Sequence, residues 1–175
     1  MQNLGKLSKF FLYLAALSCV LWFGGYFSRI LLMYQIFGPK DLLLKPYVTD
    51  QNLGGIFITL NSAVSFTMTF YTSFIVSFAI FILTSKIKLK EEGWLFIIMM
   101  IVIITAPFEL YLMSYDYKIA YNVFYNTMLP RDVLALYVRR IKVINSFPLI
   151  EIFSYCAIIF LFVFQPLRYK KTNEA

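Results

Sequence analysis

Apolar positions in this chain do not alternate with polar ones; they run on. From Phe10 no charge is met until Arg29, and apolar sequence then resumes as far as Phe37. A second run goes from Ile56 to Leu83 without a charge, a third from Trp94 to Met113 with Glu109 alone, and a fourth from Phe147 to Leu167 with Glu151 alone. About 20 apolar residues suffice for a helix to cross a bilayer. Backbone groups in hydrocarbon must be paired within their own segment, which selects helices over isolated strands. The ten-residue alternation of a membrane β-barrel is missing. The pattern therefore predicts an all-α, polytopic integral membrane protein built as a four-helix transmembrane bundle. Its spans lie at about 10–28 (extending to 37), 56–83, 94–113 and 147–167, within a single domain covering residues 1–175.

Between spans, residues 38–55 carry Gly38-Pro39, Pro46 and Gly54-Gly55, the breaker signals of an ordinary inter-helix loop. Residues 114–146 differ. Tyr111 and Tyr115 are four apart, as are Tyr117, Tyr121 and Tyr125, so the third helix is expected to outrun the lipid. Pro130 breaks it, and an amphipathic helix follows at about 131–146. One face of that helix carries Asp132, Ala135, Arg139, Lys142 and Ser146; the other carries Leu134, Tyr137, Val138, Ile141 and Ile144. Arg139, Arg140 and Lys142 are its candidate contacts with anionic lipid headgroups or an acidic partner, as suits a cationic helix beside a span.

Composition adds exclusions. Apolar residues make up 61% of the 175 and charged residues 14%, with no histidine. His-ligated haem, most catalytic zinc sites and every Ser/Cys–His pair are thereby excluded. No cofactor and no metal site is expected. Cys19 and Cys156 fall mid-span and read as small packing residues. The net charge of +7 is what basic flanks beside spans produce, and it does not argue for nucleic acid. Lys6 and Lys9 before an apolar run, with Ala16-Leu17-Ser18-Cys19 further on, resemble a cleaved signal. The apolar run continues straight past Cys19, and the segment reads as a retained span.

Orientation follows the Lys/Arg flanks, with short loops weighing most. Lys6, Lys9, Lys86, Lys88, Lys90, Arg168, Lys170 and Lys171 lie on the side of the termini, opposite Lys40, Lys45 and the long 114–146 segment. Both termini are expected in the cytoplasm, with the protein in the cytoplasmic (inner) membrane.

Charges inside a span cost several kcal/mol to insert and are the first place to look for function. Arg29, Glu109 and Glu151 all fall near the end of their spans away from the termini, and Asn61 joins them at the same end of the second span. The four form a candidate polar cluster. One arginine against two carboxylates leaves a formal −1, to be balanced by a proton, a cation or a further donor. Pro107 and Pro148, just ahead of the two glutamates, are expected to free backbone carbonyls as further acceptors. On the first helix, Ala15, Ser18, Trp22, Gly25 and Arg29 share a face of largely small residues, the kind that lets helices approach closely.

The first functional expectation is a non-enzymatic accessory or interaction subunit of a membrane assembly, meeting the bilayer, anionic headgroups and other membrane subunits. The alternative is a transporter or channel component for a proton, a cation or a small polar solute, working through the Arg/Glu cluster. A third, a lipid-modifying enzyme with Glu109 or Asp116 as base, has fewer features behind it.

Overall fold

A computed structural model describes residues 4–38, 42–87, 89, 92–144 and 146–167. The described residues form five helices: α1 (Lys6–Ile36), α2 (Asp50–Ser85), α3 (Gly93–Tyr125), α4 (Pro130–Val143) and α5 (Phe147–Phe164). Four of them, all but α4, are long and apolar enough to cross a membrane. Among the flanking cations that set the expected orientation, Lys40, Lys88, Lys90, Arg168, Lys170 and Lys171 lie outside the described residues.

At 1.5 Å per residue, α5 is about 27 Å long, enough for the hydrocarbon core alone, whereas α1, α2 and α3 reach about 46–54 Å. The three long helices overshoot α5 on the side away from the termini, and α4 packs there against α2 and α3 as a cap. Their surplus length is what makes a cap possible.

The boundaries differ from expectation where local chemistry outweighs composition. α2 begins at Asp50, six residues before Ile56, because Thr49 starts a capping box. Its backbone N–H donates to Asn52 Oδ1 (2.8 Å), and its side chain accepts from the third helical residue. Gly54-Gly55, read as a break, is therefore carried inside the helix. α3 continues through Pro107, an exposed residue, to a left-handed cap at Asn126. Pro148 lies in the first turn of α5, where its missing N–H leaves nothing unpaired. Pro107 does free the Ile103 carbonyl, but both residues lie on the exposed face of α3, away from the buried Glu109, and Pro148 frees none.

α1 runs antiparallel to α2 along most of its length. The small face explains the fit. Ser8 donates to the Thr84 carbonyl (3.0 Å), Ser18 and Ser73 share a hydrogen bond (3.0 Å), and Gly25 lies so close to α2 that a Cβ there would meet the Phe66 ring at 2.8 Å. Small residues and interhelical hydrogen bonds replace the hydrophobic effect as the source of helix association in lipid. α1 and α5 meet instead through rings: Trp22 packs on Tyr155 at 4.4 Å between centroids and on Tyr71 of α2 at 5.1 Å.

Candidate functional site

The seam of α3 that faces the bundle reads Ile98, Val102, Thr105, Glu109, Leu112, Asp116 and Ile119, all buried at alternating steps of four and three. Two carboxylates thus enter the interior from one helix, two turns apart. The deeper, Glu109, is joined by Glu151 of α5. The one nearer the cap, Asp116, receives two arginines.

Arg29 of α1 donates to Asp116 through both terminal nitrogens, at 2.9 and 2.6 Å, and its Nη1 also reaches the Thr67 hydroxyl of α2 at 3.4 Å. Arg140 of α4 donates to the same carboxylate from Nε (2.9 Å) and Nη2 (3.2 Å). Such two-pronged pairs are the strong form of charge-assisted hydrogen bond. All three side chains are buried, Asp116 fully. One carboxylate therefore ties α1, α3 and α4 together. Burial by itself would depress the Arg140 guanidinium; Asp116 and then Glu109 outweigh it, and the net direction is upward. The neighbouring Tyr137 phenol, also buried, is pushed up chiefly by desolvation.

This geometry revises the predicted cluster. Arg29 does not pair with Glu109 or Glu151. Counted from Phe10, Trp94 and Phe164, where the apolar runs begin on the side of the termini, Glu109 and Glu151 lie about 20–22 Å along their helices and Arg29 about 28 Å. The arginine thus takes the carboxylate nearer the membrane boundary, which lowers the cost of holding both charges. Arg140 is likewise no headgroup contact: it is buried with Val133 and Tyr137 on the inward face of α4, while Arg139 and Lys142 remain exposed. Successive helical residues point about 100° apart, so neighbours in sequence serve opposite faces. Asn61 is half-buried one to two turns nearer the cap than Thr67, and none of its hydrogen bonds joins it to the cluster among the described residues.

Glu109 and Glu151 interact with each other and with Tyr26, whose ring packs on Trp22. Yet among the described residues Glu109 Oε2, both oxygens of Glu151, the hydroxyls of Tyr26, Tyr71 and Tyr155 and the indole Nε1 of Trp22 make no hydrogen bond of good geometry. All six side chains are at most 2% exposed. These groups lie close to one another, Glu109 and Tyr26 beside Glu151 and Tyr71 beside Tyr155, without settling into well-aligned bonds, and buried polar atoms so loosely paired call for a further partner. The common resolutions are a proton, ordered water or an ion.

Charge counting narrows these. Arg29 and Arg140 face Asp116, Glu109 and Glu151: two cations against three carboxylates, a formal −1 that one proton brings to zero. No group of three or more His, Cys, Asp or Glu side chains suited to a metal ion occurs among the described residues. Chemically, the arrangement is a carboxyl pair able to hold one proton. It is flanked on one side by fixed guanidinium charge and on the other by a tyrosine-lined interior.

Asp116 was the member that depth counting passed over, since Tyr115 and Tyr117 beside it suggest a surface stretch; the four-and-three spacing of the α3 seam was the signal. Neither a protein-family model, nor a curated protein, nor a solved structure matches this chain.

Proposed function

We propose that this chain is a non-enzymatic, proton-handling component of a membrane transport system, with the Glu109–Glu151 pair as the group that takes up and gives back the proton. The observation that carries the reading is the odd carboxylate. A buried cluster of two arginines and three carboxylates is neutral only when one proton is shared, and uncompensated charge in hydrocarbon is strongly disfavoured. Asp116 is spoken for by four hydrogen bonds from the arginines, which leaves the glutamate pair to carry the proton. The hydroxyls of Tyr26, Tyr155 and Tyr71 extend from that pair towards the middle of the bundle, as a water-assisted proton path would require.

In this reading the protein sits in a cytoplasmic membrane with both termini in the cytoplasm. The cap, with exposed Arg139 and Lys142 among anionic headgroups, then lies on the opposite face. Reconstitution into liposomes loaded with a pH-sensitive dye tests the function. Wild-type protein, alone or with co-purifying subunits, is expected to carry protons in response to an imposed gradient. Glu109→Gln and Glu151→Gln are expected to lower the rate at least tenfold, and rates equal to wild type in both would remove the proposal.

A second reading, an accessory subunit that docks to another membrane protein, has its own support. Tyr117, Tyr121, Phe124 and Tyr125 on the overshooting end of α3 are 48–74% exposed, and contiguous exposed aromatics of this kind mark contact surfaces. Cross-linking from Tyr121 in native membranes distinguishes it: a discrete adduct favours docking, and lipid adducts alone argue against it.

A further inference from the structure

On the cap side of the aromatic layer, α1 and α5 separate. Between them opens a cleft of about 370 Å³ with Ile30 and Met33 on one wall, Leu149 and Ile152 on the other, and Arg29 and Arg140 at its floor. Ile141 and Ile144 at the end of α4, together with Leu42, roof it. Its rim residues Tyr34 and Leu149 are 66% and 63% exposed and belong to spanning helices, so the opening faces sideways into lipid.

We infer that this cleft binds the headgroup and upper chain of an anionic phospholipid, entering laterally from the bilayer. Three observations select this occupant. The walls are apolar, which suits an acyl chain and offers little to a soluble ion. The floor lies about 28 Å along α1 from Phe10, close to the thickness of the hydrocarbon core, where lipid phosphates sit. The floor also carries the guanidiniums of Arg29 and Arg140, whose Nε and Nη1, respectively, take no part in the bonds to Asp116 and are charged donors of the kind that binds a phosphate. A cleft of this volume is at the small end for ligand sites and takes one head and part of one chain, not a whole lipid. The inference stands on the cleft and does not depend on proton handling.

Native mass spectrometry of protein extracted from bilayers containing equal phosphatidylglycerol and phosphatidylcholine tests it. Wild type is expected to retain one phosphatidylglycerol per chain, in at least tenfold excess over phosphatidylcholine. Ile152→Trp and Leu149→Trp, which fill the cleft without touching its charges, are expected to lower that retention tenfold or more. Leu83→Trp adds the same bulk to the lipid-facing surface at the other end of α2 and is expected to leave retention as in wild type. Equal retention of the two lipids by wild type, unchanged phosphatidylglycerol in both cleft variants, or selective retention of a free fatty acid instead, would each overturn the inference. Circular dichroism of each variant separates loss of the site from loss of the fold.

Discussion

Asp116→Asn is the substitution that most sharply separates a keystone from an ordinary buried polar group. Asp116 accepts four hydrogen bonds, two from each arginine, at 2.6–3.2 Å. The change adds no bulk, so any effect is electrostatic. It leaves Arg29 at 3% and Arg140 at 9% exposure facing each other with no carboxylate between them. Removing one partner of a buried pair costs about 3–5 kcal/mol, and here two cations lose their hydrogen-bonded carboxylate at once, with ionised Glu109 and Glu151 balancing them only from about two turns deeper. Arg140→Gln, by contrast, leaves a balanced Arg29–Asp116 pair and should cost about 1–3 kcal/mol, the range for an unmade buried hydrogen bond. Against a total stability of about 5–15 kcal/mol, the first change is close to unfolding the cap and the second is not. Replacing all three by Met, Leu and Met (Arg29→Met, Asp116→Leu, Arg140→Met) removes charge and counter-charge together and should recover most of the loss. Unfolding free energies from steric trapping in bicelles give the ordering. An Asp116→Asn cost below about 1 kcal/mol, or one smaller than that of Arg140→Gln, would refute the keystone reasoning.

Two further predictions follow from local geometry. Gly25→Leu must push the Phe66 ring aside and part α1 from α2, so a loss of about 1–3 kcal/mol is expected, with Gly25→Ala milder because the half-exposed ring can swing outward; thermal unfolding in detergent ranks the two. Thr49→Ala removes half of the capping box and should cost about 1 kcal/mol, seen as faster amide exchange confined to the first turns of α2, whereas uniform exchange along α2 would contradict a capping role.

Much of the architecture was legible because lipid imposes a coarse rule: long uncharged runs must be helices. That rule says little about where helices end, and the errors fall there. Gly54-Gly55 looked like a break because propensity argues against glycine in helices, but the Thr49–Asn52 box fixes the start of α2 further upstream. The burial of Arg29, Glu109 and Glu151 is legible, since no other fate suits a charge inside a span beside small residues. Their partners are not, because pairing depends on side-chain reach and on helix ends beyond the lipid. Arg140 hid behind Arg139 and Lys142 as one basic patch; the spacing of Val133, Tyr137 and Arg140 at four and three was the clue that it turns inward.

In the proposed function, charge balance sets the number of protons in the bundle. It predicts a definite sequence: one protonated carboxyl per chain in wild type, none in Asp116→Asn, where two arginines meet two glutamates, and two in Arg140→Gln, where one arginine meets three carboxylates. Infrared difference spectroscopy of protein embedded in phosphatidylcholine nanodiscs, which supply no anionic headgroup, reads this at neutral pH from the carbonyl stretch of protonated carboxyls. Glu109→Gln/Glu151→Gln supplies the blank. Bands in the ratio one, none and two are the predicted result. A wild-type spectrum without the band, or a band unaltered by Asp116→Asn, would contradict the account.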